Sequence, residues 1–487
     1  MSDAATTTEP AANVPLCVDL DGTLIKADCF YESVLASLRA NPLKTLMHMT
    51  ALLKGKAALK AELASSVELK VDRLPFNQAV VDYILKARAE GQQVYLVTAT
   101  DQHIAKAIAD HFGCFDGVIA SDGETNLRGE NKANYLRKRF GDGQYDYIGN
   151  DATDVAVWKT ARKSLIAAPN ALAIQMQTGA KAPANLELIQ IEAMPLPKKI
   201  IKALRVHQWS KNLLLLLPMI AGHTWGNIGD WGLLIRGFFA MSFCASSVYL
   251  LNDTWDLESD RTHPRKCKRP MAAGELQIPS GIILAGVVLL LGIITGFTIS
   301  PAFFAMLIIY MVLTTLYTFR LKRVLVLDAI VLASLYAWRV MLGGAAIGIW
   351  PSTWLITFSI FIFFSLAQAK RYAELFNLRE QNKDKASGRG YQVSDMEQLA
   401  IFGTTSGFMS VLVLALYINS DKSLTLYGRP EALYVICMLV LYWISRVWVI
   451  TRRGEMNEDP IVWALRDHKS YALGLIAAMV LIVARVF

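Results

Sequence analysis

The chain has 487 residues, more than one ordinary domain needs, and its composition changes near Lys199. Its net charge of +8 lies largely in short loops between apolar runs. That pattern argues against a nucleic-acid surface and fits membrane topology, anionic phosphates or lipid head groups. The six cysteines have no paired or metal-like spacing, which argues against a disulfide scaffold or a cysteine metal centre, and no dinucleotide fingerprint is present.

Residues 1–14 are polar without an apolar centre and read as a disordered tail rather than a signal peptide. Pro15 to Leu24 is a short apolar strand that runs into Asp19, Asp21 and the Gly22 turn, so both acids can be aimed beyond its carboxyl end, where open α/β sheets place their sites. A second buried strand, Gly91 to Thr100, ends in the hydroxyls of Thr98 and Thr100; Lys132 follows in Gly129-Glu130-Asn131-Lys132. A further strand, Tyr145 to Gly149, ends in Asn150, Asp151 and Asp154. Helical patterns between these strands predict a parallel, helix-covered sheet.

These four pieces, in this order, resemble the haloacid dehalogenase (HAD) superfamily of phosphohydrolases over residues 15–180, an α/β fold with a helical cap inserted at about 26–85. The resemblance implies that Asp19 is the nucleophile of an aspartyl-phosphate intermediate and that Asp21 is the general acid and base. Thr98 and Lys132 are then expected to hold the phosphoryl oxygens. Mg²⁺ is expected on Asp19, Asp21 (through its backbone carbonyl) and Asp151, with Asp154 in support; Gly-Asn-Asp stands where Gly-Asp is usual, which leaves open whether Asp151 or Asp154 is the direct ligand. Within the cap, Asn41 to Leu69 mixes lysines with Leu, Met and Ala and reads first as a solvated face, with a membrane-facing surface as the alternative. Residues 181–198, with Ala-Pro-Ala and Met-Pro-Leu-Pro, read as a linker.

Residues 199–487 carry nine candidate spans: 212–225, 231–251, 278–298, 302–319, 325–346, 353–369, 396–419, 432–451 and 469–487. Lys and Arg concentrate in alternate loops. By the positive-inside rule the N-terminal half and both expected active sites are cytoplasmic, in a multi-pass membrane protein of the bacterial inner-membrane type whose chain ends outside.

The second candidate span opens into Asn252-Asp253-Thr254-Trp255-Asp256-Leu257-Glu258-Ser259-Asp260. On a helix, Asp253, Asp256 and Asp260, with Asn252, share one face and form a column of oxygen ligands. Acids at a membrane mouth call for a cation, and Mg²⁺ is the economical choice because it shares oxygen ligands with phosphates; the plain alternative is a solvated helix end paired with Arg261 and Arg265. The basic run Arg261 to Arg269, with Lys266, follows directly. Column, basic run and spans together resemble the UbiA superfamily of membrane prenyltransferases, which implies Mg²⁺ on Asn252, Asp253, Asp256 and Asp260 and a pyrophosphate bound to that metal.

Members of this superfamily ordinarily carry a second pair of acids four apart, whereas Tyr317 to Asp328 carries the single acid Asp328, with Lys322 before it. With Lys211-Asn212, Arg339 within the fifth candidate span and Lys370-Arg371, this pattern looks like one branch, the polyprenyl-phosphate phosphoribosyltransferases. The branch implies polyprenyl phosphate and phosphoribosyl pyrophosphate as substrates, with Lys211, Asn212, Arg261, Lys266, Arg269, Tyr317, Lys322, Asp328, Lys370 and Arg371 as candidate contacts. The transferred product keeps a 5-phosphate, and the HAD-like half is expected to remove it. A conventional aromatic prenyltransferase using a prenyl diphosphate is the first alternative. A lipid-binding regulatory protein with a sensor HAD domain is the second.

Overall fold

The computed structural model describes residues 14–122, 125–168, 186–384, 389–456 and 459–486. It forms two compact units: residues up to Ala203 together with Leu250–Ile283, and Leu204–Tyr249 together with Leu284 onward. The acid column and its basic loop therefore cluster with the N-terminal unit, although the sequence groups them with the membrane half. Of the expected tail, only Val14 is among the described residues.

The first unit is built on six strands: β1 Leu16–Val18, β2 Val94–Asp101, β3 Gly117–Ser121, β4 Asp146–Gly149, β5 Lys163–Ala168 and β6 Leu186–Gln190. They lie in the order β3-β2-β1-β4-β5-β6, and every pairing is parallel. Strand alternation divides their side chains between two cores. Leu16, Val18, Leu96, Ile148 and Leu165 pack in one; Cys17, Val97, Tyr147 and Ile166 pack in the other with Trp158. Each large side chain withdrawn from water contributes about 1.5–3 kcal/mol. The central position of β1 brings Asp19 to the carboxyl edge, beside the ends of β2 and β4.

The cap between β1 and β2 holds α1 Cys29–Ala40, α2 Pro42–His48 and α3 Lys56–Ser66, followed by α4 Gln78–Ala89, which leads into β2. Asp28 caps α1 by accepting from the Phe30 N–H, and Asn41 caps α2, where Pro42 stands in the first turn. Ala51, Leu59 and Leu63 form a small core of their own under Phe30 and Val34.

The linker expected at 181–198 is corrected. Residues 181–185 lie outside the described residues, but Leu186–Gln190 is β6, paired with β5 from Ser164↔Leu186 to Ala168↔Gln190, and Leu196–Ala203 is helical. Flanking prolines hide five residues whose alternation is that of an edge strand.

Among the described residues, eight helices are long and apolar enough to cross a membrane: Ile228–Trp255, Ile278–Phe297, Pro301–Phe319, Leu327–Ile347, Thr353–Glu380, Val393–Ile418, Pro430–Arg452 and His468–Val486. The expected first span, 212–225, is not one of them. It forms a 3₁₀ stretch, Val206–Leu216, and a short helix, Leu217–Ala221, with Pro218 in its first turn. Its backbone lies against Leu327–Ile347 so closely that a Cβ on Gly343 would stand 2.0 Å from the Leu215 carbonyl oxygen. Small residues also set the packing elsewhere in this unit: a Cβ on Gly403 would meet the Trp448 ring at 1.9 Å.

Candidate active sites

Four groups of buried polar residues stand out, one at the sheet edge, one at the acid column and two among the membrane helices. At the sheet edge, Asp19 Oδ1 accepts from Lys132 Nζ at 2.7 Å, and Thr23 Oγ1 lies 3.4 Å from Oδ2. Lys132, on helix α5 Glu130–Phe140, also donates to Tyr147 Oη at 2.8 Å and stands 3.6 Å from Asp154. Tyr147 Oη in turn donates to Asp154 at 2.8 Å, and the other Asp154 oxygen receives the N–H groups of Asn150 and Asp151. Burial pushes the Asp19 carboxyl up to about 7; Lys132 opposes that rise, while Asp154 and Asp21 add to it. Burial lowers the Lys132 ammonium, but Asp19 and Asp154 outweigh it and raise the group overall.

Asp21 is held from two sides. Thr100 Oγ1 donates to its Oδ2 at 2.5 Å, and the Cys29 N–H, at the start of α1, donates to its Oδ1 at 2.8 Å. Thr98 is fully buried and accepts from the Thr100 N–H. Gly22 has φ +77°, and a Cβ there would meet the Asn150 amide nitrogen at 2.3 Å, so another residue in this turn would strain the backbone and displace Asn150. Asp151 is exposed and caps a 3₁₀ turn by accepting from the Ala152 N–H; Asp154 is the buried acid.

In the acid column, successive backbone bonds from Asp256 N to Asn252 O and from Asp260 N to Asp256 O keep the helical spacing across a break at Asp256. One nitrogen of Arg269, Nη1, bonds both Asp253 (2.9 Å) and Asp260. Asp260 Oδ1 is buried with no hydrogen-bond partner among the described residues, and Lys266 Nζ is 3.8 Å from it. Arg261 does not turn to these acids. It makes a two-pronged pair with Glu32 of α1, Nη2 to Oε1 at 2.5 Å and Nη1 to Oε2 at 3.1 Å, with both side chains nearly buried. Arg39 donates to the Thr254 carbonyl at 2.8 Å, and Arg73 and Lys70 reach Glu258 at 2.8 and 2.5 Å.

Among the described residues, no three His, Cys, Asp or Glu side chains gather as a metal cage. Lys132 bonds Asp19 in one expected site, and Arg269 bonds two of the acids in the other. Both donor sets nevertheless fit a divalent cation: Asp19, Asp21 and Asp154 share the single Lys132, and the column has an orphaned carboxylate oxygen.

In the second unit, Lys211 and Lys370 converge on Asp459 Oδ2 at 2.9 and 2.8 Å, and Tyr336 Oη donates to the same oxygen at 3.2 Å. Burial pushes the Asp459 carboxyl up, but Lys370 and Lys211 outweigh it and hold the group far below the carboxylate range. Beside them, Arg339 donates to Asn212 Oδ1 at 3.1 Å and to Tyr310 Oη at 2.7 Å, and its guanidinium stands 5.2 Å from the Tyr336 ring centre. Elsewhere in the unit, Arg371 bonds Asp328 (2.9 Å), Glu374 (2.8 Å) and Tyr317 (2.9 Å), while Arg389 bonds Asp328 (2.7 Å) and Glu374 (3.1 Å). Asp328 is wholly buried and gives one oxygen to each arginine. Lys322 sits in the 3₁₀ turn Leu321–Arg323.

A profile of the UbiA prenyltransferase family matches residues 215–466, just over half the chain. The chain belongs to the UbiA prenyltransferase family. It is an enzyme and an integral membrane protein, and its N-terminal domain matches the haloacid dehalogenase-like hydrolases over residues 16–159. An uncharacterized protein of Sinorhizobium fredii, y4nM, is 34% identical over 97% of this chain and 91% of its own length. The decaprenyl-phosphate phosphoribosyltransferase of Mycolicibacterium smegmatis is 34% identical over 55% of this chain and 86% of its own. A solved UbiA homolog from Archaeoglobus fulgidus bound to GPP and Mg²⁺ superposes with a TM-score of 0.44 at 17% identity, covering 59% of this chain and 98% of that one.

Sequence reading missed Asp459, Tyr147 and Glu32 as members of this UbiA enzyme's polar groups. Arg339 was legible as a guanidinium inside an apolar span, which marks function or a buried partner.

Proposed function

We propose that this enzyme transfers the 5-phosphoribosyl group of phosphoribosyl pyrophosphate to a polyprenyl phosphate and then removes the 5-phosphate in its HAD-like domain. The observation that carries the first step is charge imbalance: Lys211 and Lys370 share one carboxylate, Asp459, and Arg339 stands over the ring of Tyr336, which also bonds Asp459; the excess positive charge suits a buried anion such as a substrate phosphate. The phosphoribosyltransferase named among the relatives supports the donor. In this step the lipid phosphate oxygen attacks C1 of the ribose and pyrophosphate leaves; the attacking oxygen is already an anion, so no general base is needed. Mg²⁺, when bound, would stabilise the charge developing on the pyrophosphate. Asn252, Asp253, Asp256 and Asp260 would hold it, with Arg269 and Lys266 released to the leaving group.

In the HAD-like domain, Asp19 attacks the 5-phosphate, and Asp21 protonates the departing ribose oxygen. Asp21 then takes a proton from the water that frees inorganic phosphate. Thr98 and Lys132 steady the phosphoryl oxygens, and Mg²⁺ bound at Asp19 and the Asp21 carbonyl would offset the carboxylate excess. We place both sites on the cytoplasmic side of a bacterial inner membrane.

The test is to incubate the protein with polyprenyl phosphate, phosphoribosyl pyrophosphate and Mg²⁺ and to analyse the lipids. Absence of ribosylated lipid overturns the transferase reading. A wild-type product that keeps its phosphate, as the Asp19→Asn product should, overturns the phosphatase reading.

A further inference from the structure

The cap carries a surface that neither chemical step uses. On α2, Leu43, Leu46 and Met47 recur at i, i+3 and i+4 and so form one stripe, and all three are mostly exposed, at 77%, 66% and 70%. Leu52 and Leu53 follow in the 3₁₀ stretch Met49–Lys54 at 51% and 92% exposed. Five large apolar side chains within 42–54 thus face outward, an unusual density for a surface in water. The opposite side of this element is tied down. Thr45 is buried and bonds Ser37, His48 bonds Glu62 of α3, and Ala51 lies in the small cap core. The stripe is therefore the free face of an anchored element.

The position of this element within its own unit identifies what covers it. Arg39, four residues before Leu43, donates to the Thr254 carbonyl at the carboxyl end of the membrane-length helix Ile228–Trp255. Glu32 on the same helix α1 holds Arg261, just beyond that end. The apolar stripe thus begins four residues along the chain from a contact with the end of a membrane-length helix. Lys44 is exposed beside it, as suits an element at anionic head groups.

We propose that α2 and the 3₁₀ stretch after it lie in the membrane interface, with Leu43, Leu46, Met47 and Leu53 inserted among the acyl chains, as a lipid anchor for the cap. Such an anchor adds a second attachment of the cap to the bilayer. It would hold the phosphatase cleft next to a lipid-borne phosphate ester.

The test uses the full chain in vesicles of phosphatidylcholine and phosphatidylglycerol. Cys267 is replaced by Ser, since the other five cysteines are buried. A nitroxide is attached in turn at Leu46→Cys, Leu53→Cys and, as a solvent control, Asp110→Cys. Substitution at these exposed positions removes no packing, so folding is retained. Relaxation by membrane-dissolved oxygen should exceed relaxation by an aqueous nickel chelate several-fold at 46 and 53, and the reverse should hold at 110. Dominance of the chelate at 46 and 53 overturns the proposal by making the face solvated. Shielding from both reagents also overturns it, because a protein surface, such as a second copy of the chain, would then cover the stripe.

Discussion

The membrane unit contains two buried charge clusters of nearly the same residue types. Around Asp328 the count closes: Arg371 and Arg389 face Asp328 and Glu374, and each guanidinium touches both carboxylates. Around Asp459 it does not, since Lys211 and Lys370 share one carboxylate oxygen and Arg339 finds only neutral partners close by. Burial alone does not separate a structural network from a ligand site. The unmatched charge does, because burying it is costly until an anion arrives.

This contrast yields graded expectations. The largest effect on folding should come from Asp328→Ala, which leaves two guanidiniums on the single carboxylate of Glu374 and should cost about 3–5 kcal/mol, read as a fall in thermal midpoint; activity should fall only with the folded fraction. Lys370→Met should act the other way round. Transfer should drop by at least ~100-fold, or about 2.7 kcal/mol at ~1.36 kcal/mol per tenfold, with an unchanged or higher midpoint, because one of two crowded cations is gone. An equal loss of stability in both variants would erase the distinction between the clusters. Glu32→Ala, which unpairs Arg261, belongs with the closed networks and should cost about 2 kcal/mol. It should be partly rescued by Glu32→Asp in the same melt. The smallest effect concerns pH. The Asp459 carboxyl is held far below its usual range, so its contribution to stability is complete above the ordinary carboxylate pKa and lost only as pH falls below it. Asp459 should therefore add no slope to the melting profile between about pH 5 and 8, whereas a slope there that vanishes in Asp459→Asn would contradict the lysine pairing.

How legible these features were in sequence depended on how local their causes are. Asp19, Asp21 and Lys132 could be read because a parallel sheet delivers strand ends to one edge, so order along the chain predicts proximity. The acid column could be read because its spacing is local, three and four residues along the chain, and backbone bonds carry that spacing across the break at Asp256. Asp459 could not, since its partners Lys211 and Lys370 stand 248 and 89 residues away and its own neighbourhood shows only a helix cap. Pairing sites converge through tertiary packing, which leaves no periodic trace. The 206–221 segment misled for a different reason: its leucines satisfy a hydropathy window, while Pro218 and the buried Lys211 and Asn212 set its backbone.

The Glu32–Arg261 pair bears on how this chain can be divided. The two partners are 229 residues apart, and the polypeptide leaves the first unit at Ala203 and re-enters it at Leu250. The gene therefore has no single seam between the HAD-like and UbiA domains. A fragment ending near residue 200 would lose Leu250–Ile283 and come away with a buried glutamate facing water. The remaining fragment would keep Arg261 without its carboxylate. Fusion partners joined by a simple hinge can be swapped as cassettes; here the second module threads a loop back into the first, so recombination that preserves both folds must carry that loop with the N-terminal module.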